Sequence, residues 1–210
     1  MEEIPIIGLG TWQLNGQDCV DVVSHALTVG YNHIDTAEFY DNEFEIGKAV
    51  AKIDRDKIWI TNKVWWANLE HDKVIEACNN TLKKLNVNYL DLYLVHWPNK
   101  NIDLDETFKA MKKLLDQGKI KRVGVSNFTI KHLKNAMPIA EKYGFKIYAN
   151  QVEFNPLLYQ KELFENSVGS GKDYQQVKSE YNTAKSRHEG LKSRLLLLSL
   201  SPENVKKGSI

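Results

Sequence analysis

Residues 89–96 read YLDLYLVH, a run of strand length that is apolar on almost every position and ends on a histidine. A strand with no polar face is buried on both sides, as strands are when helices cover a parallel sheet. Five further short, β-branched runs share the character of this one: IPIIGLG (4–10), YNHID (31–35), IWITNK (58–63), RVGVSN (122–127) and IYANQVEF (147–154). The segments between them have helical spacing: Asp18–Val29, Asn42–Ala51, His71–Leu85, Asp103–Gln117 and Thr129–Tyr143. Val20, Val23, Ala26 and Leu27 show the apolar stripe at its simplest. Asp103, with Glu106 three residues on, opens its helix in a box-like way, and Gly118 and Gly144 stand where two helices should stop. Regular alternation of strand and helix predicts a parallel α/β sheet.

Successive strands end between 23 and 33 residues apart, a spacing that fits either a doubly wound sheet or a β/α barrel. The last residues of the strands decide between these. They are Thr11 with Trp12, Asp35, Lys63, His96, Ser126 with Asn127, and Gln151. Barrel strands converge their C-terminal ends on one mouth, where active sites sit. A doubly wound sheet would spread the same groups along an edge. Each group alone has a plain structural role: Asp35 in a turn, His96 in the core, Lys63 snorkelling, Ser126 or Asn127 capping the helix near Thr129, the tryptophans as core aromatics. Six in succession point to a TIM-type (β/α)8 barrel lineage with a working mouth.

The residue types define a chemistry. Tyr40 follows Asp35 by five residues and reaches back over the same mouth. A phenol is a poor acid at neutral pH unless a cation stabilises its phenolate. Lys63 supplies the cation, Asp35 holds the ammonium, and His96 hydrogen-bonds a substrate oxygen beside Tyr40. An acid facing an oxygen in a pocket lined by Trp12, Trp65 and Trp97 suits carbonyl reduction.

IPIIGLGTW, IDTAEFYDNE, the Lys63 of ITNKVWW, LDLYLVHWP, IKRVGVSNF and NQVEFNP, taken together, resemble the aldo-keto reductases over about residues 4–165. The resemblance implies a (β/α)8 barrel and hydride transfer from NADPH, less often NADH, to a small-molecule aldehyde or ketone. It makes Tyr40 the general acid, with Asp35, Lys63 and His96 completing a tetrad. It assigns Ser126, Asn127 and Gln151 to the nicotinamide carboxamide and adds Gly10, Thr11, Asp35 and Ser199 as cofactor contacts. Trp12, Trp65 and Trp97 match the aromatics of the substrate pocket.

The C-terminal part departs from that pattern. Eight units of about 28 residues need roughly 225, whereas this chain has 210 and six legible units. Nothing corresponds to the family's seventh strand, and Leu195–Leu200 is the one candidate for an eighth. SLSPENVKKG resembles the loop that holds the adenosine phosphate: Ser199 and Pro202 match, but Leu198, Asn204 and Gly208 replace its usual Lys, Arg and Asn. Composition changes at the same place. All seven Phe and five Trp precede residue 165, and residues 166–210 carry eight Lys or Arg against four Asp or Glu. The organisation expected is therefore a barrel portion, 1–165, and a divergent tail, 166–210, that is no separate domain. The tail reads either as the product of a deletion with a shifted frame or as a solvated helix near Asp173–Leu191. An unclosed barrel leaves strands 1 and 6 with free edges, and self-association follows.

Composition narrows the remaining classes. At 42% hydrophobic and 26% charged residues the chain is of globular type, and its net charge of +1 argues against nucleic-acid binding. No apolar run approaches the eighteen residues of a membrane span, and the MEEIP start has no signal-peptide character. Two cysteines without a CxxC support neither a disulfide framework nor a zinc site. The expectation is a cytoplasmic, NADPH-dependent carbonyl reductase. A barrel remnant of impaired catalysis, acting only through binding or self-association, is the alternative.

Overall fold

The computed structural model describes residues 3–154, 159, 161, 163, 165 and 170–197. It divides into two compact units, Met1–Val152 and Glu153–Ile210. The first contains six strands: β1 Leu9–Gly10, β2 His33–Asp35, β3 Trp59–Val64, β4 Leu92–Val95, β5 Val123–Ser126 and β6 Asn150–Gln151. They pair in parallel in the order β1-β2-β3-β4-β5-β6. This order never reverses, so among the described strands there is no switch point of the doubly wound kind. The curled sheet with its helices is an incomplete (β/α)8 barrel, as the strand ends predicted.

Five α-helices connect the strands: α1 Gly16–Thr28, α2 Glu43–Val50, α3 His71–Leu85, α4 Leu104–Asp116 and α5 Ile130–Lys142. The main core lies between the sheet and these helices. In α4 the buried residues Thr107, Phe108, Ala110, Met111 and Leu114 form the stripe that spacing predicted. Gly118 ends α4 at φ +67, with its N–H on the Leu115 carbonyl and the Lys119 N–H on that of Leu114. Gly144, at φ +74, ends α5 with the same pair of bonds. These are Schellman ends, which need a left-handed residue and so favour glycine. The concave face holds a smaller cluster of Trp59, Leu92, Leu94 and Ala149. The Trp59 indole N–H donates to Thr61 Oγ1, which also pairs with His33 Nε2. The barrel floor is therefore packed, and the open end lies at the strand C-termini.

Three expectations need correction. The runs at 4–10 and 147–154 yield only two ladder residues each, because β1 and β6 have one hydrogen-bonded neighbour apiece among the described strands. Asp103 caps α4 through the Asp105 N–H, two residues on, with no reciprocal bond from Glu106. Residues 195–197 end a long helix, α6 Gly171–Leu197, so no eighth strand starts at Leu195. Ser199 and the rest of the SLSPENVKKG segment lie outside the described residues, as do 155–158 and 166–169.

Candidate active site

Lys63 is the last residue but one of β3, with its side chain almost wholly buried. A buried ammonium needs partners, and it has three. Nζ donates to Asp35 Oδ1 at 2.5 Å, to the Thr36 carbonyl at 2.9 Å and to Tyr40 Oη at 3.4 Å. Asp35 ends the neighbouring strand β2, and Tyr40 closes the short 3-10 turn Glu38–Tyr40 that follows it. His96 follows β4, with its ring edge-on to Tyr40 at 5.7 Å. The four residues proposed as a tetrad are thus brought together by three adjacent strands and one turn.

Burial pushes the His96 imidazole down to a pKa of about 4, and the Lys63 charge adds to the effect against the opposing pull of Asp35. His96 is therefore neutral at pH 7. Its Nδ1 is buried with no hydrogen-bond partner among the described residues. A proton there would leave a donor unpaired, so the ring N–H belongs on Nε2.

The amide-bearing residues form a second group. Ser126 is buried at the end of β5, and Asn127, at φ +61, donates from Nδ2 to the His96 carbonyl and to Ser126 Oγ. Gln151 ends β6 and donates to Asp35 Oδ2 at 2.7 Å. Asp35 thus joins the two groups, with one oxygen on Lys63 and the other on Gln151. Neither Ser126 nor Asn127 caps the next helix. Thr129 does, in a full capping box with His132.

The remaining residues are placed less uniformly. Thr11 is fully buried, its hydroxyl on the Asp35 carbonyl, so it holds β1 to β2 rather than lining open space. A Cβ added at Gly10 would meet nothing within 4 Å. Trp65 packs edge-on to His96 at 5.3 Å. Trp12 and Trp97 stand 65% and 47% exposed, and of the three tryptophans it is Trp65 that makes a ring contact with a member of the cluster. Among the described residues no group of His, Cys, Asp and Glu could hold a metal, and no helix is long and apolar enough to cross a membrane. Cys19 and Cys78 are buried thiols, their pKa pushed up to about 11 and about 12 by burial.

Sequence reasoning missed several supports. Asn42 is fully buried and ties three segments together, donating to the Thr11 and Leu14 carbonyls and accepting from the Thr36 hydroxyl. Glu43, also buried, accepts from Asn62 and Thr81. Glu38 accepts from the Trp65 N–H and from Asn68, and Phe39 stacks on Trp65. All four lie in IDTAEFYDNE, where their clustering around Tyr40 was the available clue.

The family model described as "Aldo/keto reductase family" matches residues 6–173. Methylglyoxal reductase DkgB of Yersinia pestis is 40% identical over 172 residues, 80% of this chain and 64% of that protein. Glyoxal reductase of Bacillus subtilis is also 40% identical over 172 residues, 80% of this chain and 61% of its own length. The chain thus spans less than two thirds of these relatives. Among solved structures, the aldo-keto reductase of Bombyx mori in complex with NADP superposes with a TM-score of 0.65 at 32% identity, covering 73% of this chain and 55% of that one.

Proposed function

The chain belongs to the aldo/keto reductase family, and on that premise we propose that it reduces the carbonyl of a small aldehyde or ketone to the alcohol. The observation that carries this reading is Lys63 Nζ held between Asp35 and the Tyr40 hydroxyl. Tyr40 gives its proton to the carbonyl oxygen as negative charge gathers there. The Lys63 ammonium stabilises the phenolate left behind, and Asp35 with the Thr36 carbonyl fixes the ammonium. Neutral His96 donates from Nε2 to the same oxygen and orients it beside Tyr40. Trp65 walls the mouth and excludes water.

The donor set of the second group fits a nicotinamide. Ser126, Asn127 and Gln151 are uncharged, sit at the ends of adjacent strands, and each can both donate and accept. A carboxamide needs such partners. When bound, the reduced nicotinamide supplies the hydride. NADPH is the proposed form, with NADH the alternative; the NADP complex of the Bombyx mori relative supports the former. Gly10 leaves room for a close approach; Ser199, the remaining candidate contact, lies outside the described residues. Because two relatives carry the names methylglyoxal and glyoxal reductase, small dicarbonyls are the first substrates to try. Among the described strands β1 and β6 have one neighbour each, and such edges favour self-association of the purified chain, which light scattering on a size-exclusion column would register as a mass above 24.1 kDa.

The test is NADPH consumption at 340 nm with methylglyoxal, beside an NADPH titration of tryptophan emission. Saturable turnover with saturable quenching supports the reading. A folded chain that shows neither is the impaired remnant, and the reductase reading fails.

A further inference from the structure

We propose that Glu38 is a positioning residue that holds Trp65 in place as the wall of the mouth and thereby sets how large a carbonyl substrate fits. The inference rests on the reductase reading for its substrate, but its structural half stands on its own geometry.

Glu38 opens the turn that carries Tyr40. Both of its carboxylate oxygens are used by the loop after β3. Oε2 accepts the Trp65 backbone N–H at 2.8 Å, and Oε1 accepts Asn68 Nδ2 at 2.6 Å. Trp65 precedes the short 3-10 turn Trp66–Asn68 and Asn68 closes it, so the carboxylate grips both ends of that turn. No Lys, Arg or His among the described residues forms a salt bridge with Glu38. A half-buried carboxylate bound by two N–H donors and no cation is directional, because hydrogen bonds to a charged acceptor are strong and angle-dependent.

A second contact repeats the link one residue on. The Phe39 ring stacks on Trp65 with centroids 4.0 Å apart and planes within 13°. Trp65 in turn meets His96 edge-on at 5.3 Å, and His96 meets Tyr40 at 5.7 Å. The path Glu38–Trp65–His96–Tyr40 therefore returns to the turn where it began. Releasing Glu38 frees the backbone of Trp65, and with it the position of the indole that borders His96. The acid itself stays anchored by Lys63.

Hydrogen–deuterium exchange resolved at the Trp65 amide reads the brace directly and needs no turnover. Glu38→Ala should raise the exchange rate there by roughly tenfold or more, since a donor to a charged acceptor is released. Glu38→Gln keeps an acceptor for Trp65 and should rescue most of the protection. Asn68→Ala removes the other arm and should give a smaller rise. Kinetically, Glu38→Ala should change the ratio of KM for benzaldehyde to KM for methylglyoxal several-fold, with less change in kcat and an unaltered pH profile. Unchanged Trp65 exchange in Glu38→Ala, with native circular dichroism, overturns the proposal. If that variant does not fold, unchanged exchange in Asn68→Ala overturns it instead. A faster exchange with an unchanged KM ratio overturns the link to substrate size. Absence of turnover in the parent chain sinks the reductase reading and leaves the exchange result to decide the brace.

Discussion

On β2, β3 and β4, each flanked by a strand on either side, the groups at the strand ends are sunk and tied to one another. Lys63 holds Asp35 and Tyr40, and His96 lies against Tyr40 and Trp65. On β5 and β6 the pattern loosens toward the sheet edge. Ser126 is buried, but Gln151 is exposed on a strand of two residues that has a single neighbour among the described strands. The groups proposed for acid chemistry are thus held by the sheet interior, whereas the amide groups proposed for the nicotinamide approach the end of the sheet as described. The two halves share Asp35, which takes Lys63 on one oxygen and Gln151 on the other.

Four measurements would break or sharpen this contrast. Tyr40→Phe removes the proposed acid while keeping the ring that meets His96. Turnover of methylglyoxal should fall by about 10²–10⁴-fold, with NADPH binding retained; a mild loss would remove Tyr40 from the acid role. Lys63→Met tests whether the interior half is held together by charge. It leaves Asp35 without its cation, and urea unfolding should show a loss of about 3–5 kcal/mol. A loss below ~1 kcal/mol would mean that Gln151 and water suffice.

The third measurement is a pH series. Folding holds His96 neutral down to about pH 4, while an unfolded imidazole takes its proton near 6.5. Between those values the unfolded state binds more protons, so stability falls as pH drops from 6.5 to 4, by an amount of order 3 kcal/mol. Below pH 4 this contribution is complete and flat. His96→Asn should remove most of the slope. His33, whose pKa burial also pushes down, adds a slope of the same sign that this substitution leaves in place. An unchanged slope would show that His96 is not buried as described. The smallest effect is expected at the edge. Gln151→Ala should weaken NADPH binding by about tenfold with little change in stability. A stability loss like that of Lys63→Met would make the edge as integral as the interior.

Much of this molecule is legible in its sequence because the cues are local. Near-continuous apolar runs locate the strands, the spacing of Thr107, Phe108, Met111 and Leu114 marks a buried helix face, and Gly118 and Gly144 mark helix ends. Asp35, Tyr40, Lys63 and His96 could be named because each closes a strand or the turn after one. What stayed hidden depends on partners far along the chain. Glu38 matters through a loop 27 and 30 residues away, and Asn42 through one 28 and 31 away. Neither residue differs, in its own sequence neighbourhood, from a solvated turn.

The sequence by itself determined the strand–helix alternation, the polar group at each strand end and the family, since periodicity and motif order do not depend on distant contacts. The tertiary structure alone decided which of those groups meet. It packed Trp65 against His96, turned Thr11 into the strand junction, gave the capping role to Thr129, and shortened β1 and β6 to two residues. The physical reason is that a ladder, a buried charge and a wall each require a second surface, and which surface is available is set by the curl of the sheet.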